Sequence, residues 1–392
     1  MATLKTTVLG IDFENPFLLA SAPPTAKIES IDKAFTLGWG GAVFKTITPD
    51  NLEMFEASQC YASWKVGSKV CGFENIELLS HLTVKEWLDG IKYLRQKHPT
   101  KVQIASIMAP VVKKEWQNLV KTLNETEINA FELNFSCPHG MPEKGIGMAI
   151  GTSPEVSSMI TKWVKEVAKK PVFVKLSPNV SNVSEIAKAV EDAGADGFSA
   201  INTVQSLMGV DIDTFEPMPN VNGKTTFGGY SGMAIKPIGL RCVAQIRQNS
   251  SLPILGIGGI ANWQNAAEYM SVGADIVQVC TEVMINGYDV IRTMKQGLLD
   301  YLENKGFNSP ADLKNKAMAH LSTHKNLNKQ KQVYPHIDDN LCVGCGKCVM
   351  VCGESEHGAL TLTEGHVEVN TKACVGCSLC SHVCAKSAIK MR

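Results

Sequence analysis

Asp192-Ala193-Gly194-Ala195-Asp196 runs directly into the apolar stretch Gly197–Thr203, and Ser271-Val272-Gly273-Ala274-Asp275 runs into Ile276–Thr281. In each phrase a glycine suited to a helix C-cap closes an amphipathic segment (Val183–Ala193, Trp263–Val272) and hands the chain to a short strand. The phrase is one βα unit, written twice. Six further runs have the same character: Phe17–Ser21, Ala42–Thr46, Val102–Ile107, Ala130–Ser136, Pro171–Ser177 and Pro253–Gly259. Most are too short for helices, rich in Val, Ile and Phe, and apolar at successive positions, as parallel strands buried on both faces are. Helical patterns at Pro154–Lys169, capped by Ser153, and at Ile235–Gln248 lie between them. Eight such units predict an α/β fold, a (β/α)8 TIM barrel over residues 1–312. An open doubly wound sheet is the alternative.

Two inserts, Asn51–Ser80 after the second run and Val204–Tyr230 after the sixth, fall where a barrel carries its catalytic loops. The polar stretch Leu313–Val333 reads as a linker over 313–335 with solvated lysines. A small α+β domain is expected over 336–392.

Composition narrows the function. The 44% hydrophobic and 19% charged content of the 392 residues supports a buried core. Lys plus Arg (38) equals Asp plus Glu (38), which argues against a general binder of nucleic acid or anionic membrane. No apolar run approaches the roughly 20 residues of a membrane span. The start, Met1-Ala2-Thr3-Leu4-Lys5, lacks the regions of a signal peptide, and the metal clusters read below need a reducing compartment, so a cytoplasmic location is expected.

Of 13 cysteines, eight crowd between Cys342 and Cys384. Cys342, Cys345, Cys348 and Cys352 form one C-x2-C-x2-C-x3-C run, and Cys374, Cys377, Cys380 and Cys384 form another. In such a run three thiolates wrap a [4Fe-4S] cluster and the fourth reaches the neighbouring one. The predicted sets are Cys342, Cys345, Cys348 with Cys384, and Cys374, Cys377, Cys380 with Cys352. Paired zinc knuckles are the alternative, but duplicated four-cysteine runs suit zinc less well. Gly353 and Ala385 stand where a proline usually follows the fourth cysteine, a change that removes no ligand. Two such clusters move single electrons, so bond chemistry falls to the barrel.

There, Gly256-Ile257-Gly258-Gly259-Ile260 closes the seventh strand and Gly228-Gly229-Tyr230-Ser231-Gly232 precedes the same unit, two glycine turns suited to holding a phosphate between them. Lys45 and Lys175 sit inside apolar strands and need partners, either a structural carboxylate or a flavin that becomes anionic on reduction. Asn134, Ser136 and Cys137 end the fourth strand and Asn202-Thr203 the sixth, a polar set suited to a planar, hydrogen-bonding substrate. Cys60, Cys71, Cys242 and Cys280 read as buried structural thiols.

Glu132–Gly140, Phe173–Asn179, Ala200–Thr203 and Gly229–Arg241 resemble the FMN barrel of the dihydropyrimidine dehydrogenase family, within the wider dihydroorotate dehydrogenase group. The likeness extends over nearly the whole chain, the cluster module included, and is greatest to the bacterial cluster-bearing subunit. It implies that Ser21, Lys45, Thr46, Asn134, Lys175, Gly232, Ile257, Gly258, Gly259, Cys280 and Thr281 line FMN. It implies that Asn134, Ser136, Asn202 and Thr203 hold a uracil- or thymine-like ring. Cys137 is then the proton donor to one carbon of the ring's 5,6 double bond, the other receiving hydride from the flavin. Electrons are expected from a partner subunit that binds FAD and oxidises NAD(P)H, because the glycine motifs are committed to the barrel and no second dinucleotide-binding domain is read in the sequence. One departure stands out. Members that reduce uracil and thymine carry another asparagine shortly after the third strand, whereas Ile107-Met108-Ala109-Pro110-Val111-Val112-Lys113 holds no amide. An imide left facing apolar groups costs roughly 1–3 kcal/mol, so either a neighbouring loop compensates or the substrate is a relative of uracil. A dihydroorotate-oxidising enzyme, with Lys113 as the carboxylate's partner, and a non-catalytic electron relay are the other readings.

Overall fold

The computed structural model describes residues 1–52, 57–135, 148–328 and 333–392. Eight parallel strands close into a barrel: Phe17–Leu19, Gly41–Val43, Val102–Ile107, Ala130–Asn134, Val172–Leu176, Gly197–Ala200, Ile254–Ile257 and Ile276–Val279. Each pairs with the next in sequence, and the eighth returns to the first through Val277↔Phe17 and Val279↔Leu19. That closure excludes the open sheet. Side chains facing outward, such as Phe131, Leu133, Val172 and Val174, pack under the helices in one large core. A hairpin of Thr6–Val8 and Ile11–Phe13 plugs the end where the strands begin. Its Val8, Ile11 and Phe13 meet Leu18, Val102 and Phe173 there.

The twin phrases end their helices as read. Gly194 and Gly273 take φ of +96° and +116°, and the strands Gly197–Ala200 and Ile276–Val279 follow. The helices Val183–Asp192 and Trp263–Ser271 are capped by Asn182 and Asn262, whose side chains accept from Ser184 and Asn265.

The two inserts form one structure. They build a four-stranded antiparallel sheet in the spatial order Val204–Ser206, Gly228–Gly232, Lys69–Asn75, Tyr61–Val66, with Gly228–Gly232 and Lys69–Asn75 central. The stretch Gly228–Gly232 is therefore a strand, where sequence alone suggested a phosphate-holding turn. Its glycines answer to crowding across the sheet: a Cβ on Gly232 would lie 2.6 Å from the Cys71 carbonyl oxygen.

The chain divides into two compact units, Met1–His320 and Leu321–Arg392. The first extends beyond the expected boundary at 312. Leu313 is buried, the Asn315 and Ala317 amides donate to Met270 and Ser271, and Lys314 pairs with Asp275. Residues 313–320 are thus fastened to the barrel, and Lys314 is no solvated linker lysine.

In the second unit Pro335–Ile337 pairs with Ile389–Met391 and Leu360–Thr363 with His366–Val369. Helices Lys347–Glu354 and Leu379–His382 complete an α+β module around Cys348, Leu360, Cys380 and Ile389. Among the described residues no helix is long and apolar enough to cross a membrane.

Candidate active site and cluster module

A cavity of about 600 Å³ opens at the C-terminal ends of the barrel strands. Ser21, Lys45, Thr46, Asn134, Lys175, Asn202, Thr203, Gly232, Ile257, Gly258, Gly259, Cys280 and Thr281 all line it. Ser136 and Cys137 lie outside the described residues.

Strand alternation explains the polar floor. Phe131 and Leu133 face the helices, so Glu132 and Asn134 face inward, and Lys175 is set beside them by the pairing Asn134↔Lys175. Lys175 Nζ lies 3.5 Å from Glu132 Oε1, both groups almost fully buried. Gln278 Nε2 donates to Glu132 Oε2 (3.0 Å) and Ser199 Oγ (3.3 Å). The second cation is paired too: Lys45 Nζ contacts Glu77 Oε1 at 2.8 Å, and Tyr61 donates its hydroxyl to Glu77 Oε2. Burial and the Glu77 carboxylate push the Tyr61 hydroxyl far above the usual phenol range, which keeps it a donor. Each lysine therefore has a carboxylate and still borders the cavity. The expected structural partners are thus Glu77 for Lys45 and Glu132 for Lys175.

A hydrogen-bonded chain crosses the mouth. Thr46 Oγ1 meets Ser106 Oγ at 3.1 Å and Ser21 Oγ at 3.3 Å, and accepts from Asn134 Nδ2 at 2.9 Å. Asn202 Nδ2 donates to Asn134 Oδ1 at 3.2 Å, and the Thr203 amide donates to Asn202 Oδ1 at 2.9 Å. Strands one, two, three, four and six thereby hold their end residues in one fixed arrangement.

At the end of strand seven, backbone packs closely against backbone. Gly258 and Gly259 take φ of +126° and +69°, and a Cβ on Gly259 would lie 2.7 Å from the Gly232 carbonyl oxygen and 2.8 Å from the Lys236 amide nitrogen. Gly259→Ala is expected to destabilise the barrel by about 1–3 kcal/mol and to lower the flavin content of the purified chain. Denaturant titration and flavin release read the two effects.

Burial pushes the Cys280 thiol up to about 11 against the pull of the Lys175 and Lys45 charges, so it lines the cavity as a neutral group. Cys242 is core, as expected. Cys60 and Cys71 are half-exposed instead: Cys60 immediately precedes the strand Tyr61–Val66, and Cys71 lies on the strand Lys69–Asn75 and borders the cavity.

The sequence reading missed Tyr61, Asn75, Glu77, Glu132 and Gln278. Asn75 brings an amide to the cavity, whereas the stretch Ile107–Lys113 after strand three holds none. It borders the cavity from the insert hairpin and is held by donation to the Gly229 carbonyl oxygen (3.2 Å). Lys113 does not border the cavity. It pairs at the surface with Glu166 at 2.7 Å.

In the C-terminal unit a small cavity is bordered by Cys352, Cys374, Cys377 and Cys380, three cysteines of the second run and the fourth of the first. Burial raises the Cys348 thiol above its ordinary value. The Ala359 and Ala388 amides donate to the Cys352 and Cys384 sulfurs, both at 3.3 Å.

The sequence profile described as dihydroorotate dehydrogenase matches residues 3–302. The chain belongs to the dihydroorotate dehydrogenase family. A second profile, the 4Fe-4S dicluster domain, matches residues 335–391. Among curated relatives, the NAD-dependent dihydropyrimidine dehydrogenase subunit PreA of Escherichia coli is 38% identical over 368 residues, 92% of this chain and 88% of its own length. The chloroplastic dihydropyrimidine dehydrogenase (NADP(+)) of Arabidopsis thaliana is 34% identical over 341 residues, 84% of this chain and 80% of its own. The catalytic subunit of dihydroorotate dehydrogenase B (NAD(+)) of Pyrococcus furiosus is 38% identical over 311 residues, 79% of this chain and 97% of its own.

Proposed function

We propose that this family member reduces the 5,6 double bond of a pyrimidine of the uracil and thymine class. The observation that carries the reading is the hydrogen-bonded chain Thr46–Asn134–Asn202–Thr203 at the mouth of a cavity floored by two buried lysines. Side-chain amides offer donor and acceptor together, which matches the alternating C=O and N–H groups of an uncharged pyrimidine ring. Asn75 adds a further amide from the insert hairpin. The names of the Escherichia coli and Arabidopsis relatives point the same way.

The cavity fits FMN. Its volume lies in the range of cofactor pockets, two cations floor it, and the glycine wall at Gly258 and Gly259 admits close backbone approach. When bound, FMN supplies hydride to one carbon of the double bond and accepts the electrons that the clusters deliver singly. The chain's own residues do the rest. Lys45 and Lys175 hold positive charge beside the ring system, and Glu77 and Glu132 fix where those ammonium groups point. Asn75, Asn134, Asn202 and Thr203 orient the substrate. Cys137 holds the proton for the second carbon; a thiol with reference pKa near 8.5 is protonated at neutral pH.

The two cysteine sets are proposed to hold two [4Fe-4S] clusters. The cavity bordered by Cys352, Cys374, Cys377 and Cys380 fits one of them in ligand type and in the crossing of the fourth cysteine. Exposed ligands such as Cys345 and Cys377 favour a reducing, cytoplasmic compartment. A partner subunit carrying FAD and oxidising NAD(P)H completes the path. Purified alone, the chain is expected to reduce uracil or thymine with reduced viologen and to show no turnover with NADH or NADPH. Sustained turnover of the isolated chain on either nicotinamide would remove the need for a partner.

A further inference from the structure

The two cysteine runs of the C-terminal unit align in sequence as copies: Gly344 answers to Gly376, Gly346 to Ser378, and Cys352 to Cys384. Much of their surroundings is copied as well, including the amide donated to each fourth sulfur at 3.3 Å. Among the differences between the copies, two bring polar groups to one cavity.

The first is Ser378. It takes φ of +67°, against +72° for Gly346 in the other run. In this left-handed region a side chain costs about 1–2 kcal/mol, which glycine avoids. Ser378 borders the cavity formed by Cys352, Cys374, Cys377 and Cys380, and its hydroxyl donates to no other side chain or carbonyl among the described residues. The second is loop length. Seven positions separate Cys352 from the amide that caps it, but only four separate Cys384 from its own. The longer loop brings Ser355 and His357 to the same cavity. A strained residue kept where its twin is glycine calls for a compensating interaction.

We propose that the Ser378 hydroxyl makes the cluster held by Cys352, Cys374, Cys377 and Cys380 the more easily reduced of the two, so that an electron shared by the pair rests there. Donation of a hydrogen bond to cluster or ligand sulfur stabilises the extra negative charge of the reduced state and raises the potential. The other cluster has Gly346 at this position and gains no such donor. The inference rests on the proposed binding of two clusters by the eight cysteines.

The test is an anaerobic potentiometric titration of the full chain, reduced with dithionite and followed by electron paramagnetic resonance, after iron analysis. The wild-type chain is expected to show two separated one-electron waves. Ser378→Ala keeps the left-handed side chain and removes the hydroxyl, and should lower the upper wave while leaving the lower one in place. Ser378→Gly should do the same and also relieve strain. Gly346→Ser, whose new Cβ meets only Leu362 at an ordinary 3.6 Å, should raise the lower wave. Coincident waves in the wild type, or an unmoved upper wave in Ser378→Ala, overturn the proposal, as does a shift confined to Ser378→Gly. Iron far below eight atoms per chain, by contrast, overturns the reading of the cysteines on which it rests.

Discussion

Cys137→Ala is expected to lower pyrimidine reduction by about 10²- to 10⁴-fold, the usual worth of a positioned general acid, while the chain keeps its flavin. The flavin should persist because the residues that border the cavity from the other strands are unchanged: Lys45, Lys175, Gly258, Gly259 and Thr281 come from strands two, five, seven and eight. The proton donor differs in that it follows Asn134, whose amide is fixed by Thr46 and Asn202. The pH dependence has a definite sign. Reduction needs the thiol, so its rate falls as pH rises through the thiol pKa, and oxidation of the dihydropyrimidine needs the thiolate and rises over the same interval. Cys137→Ser, with a far weaker acid, should lose that transition from the accessible pH range. Steady-state rates with a viologen donor, measured beside flavin content, read both effects. Unchanged turnover in Cys137→Ala would favour the electron-relay reading.

Lys175→Met should cost about 3–5 kcal/mol of stability, because it strands the Glu132 carboxylate inside the barrel. Glu132 is fully buried, and Gln278 supplies its other oxygen with a single hydrogen bond, too little to carry a full charge. Combining Lys175→Met with Glu132→Gln removes both charges and should recover most of the loss. Flavin affinity should not recover with it, since the cation is still missing. Equilibrium denaturation of the single and double variants, with bound flavin measured separately, distinguishes the two roles of Lys175. Equal instability of single and double variants would show that the pair is not what the barrel interior depends on.

The repeated helix–glycine–strand phrases made the barrel legible, because a Gly C-cap and a doubly buried strand each have a local signature. The dicluster domain was legible for the same reason: the cysteine spacing that marks it lies within a single loop and turn. Glu77, Tyr61 and Asn75 were not. They reach the cavity through pairing of two inserts more than a hundred residues apart, as in Gly229↔Asn75, and no local pattern announces a partner at that distance. Gly228–Gly232 misled for a related reason. Its glycines relieve contact with Cys71 and Glu74 across a sheet that only the folded chain creates, and in sequence they look like an anion-binding turn. The absent amide after strand three shows the converse. The local stretch lacks it, yet the hairpin supplies Asn75 to the same cavity.

The central claim is that this cavity takes an uncharged pyrimidine and reduces it. The direct measurement is an anaerobic titration of the reduced, flavin-loaded chain with uracil, thymine and orotate in turn, watching the flavin's absorbance. The account predicts flavin reoxidation by uracil or thymine, with formation of the 5,6-dihydropyrimidine and little response to orotate. Reoxidation by orotate alone, or by none of the three, would contradict it.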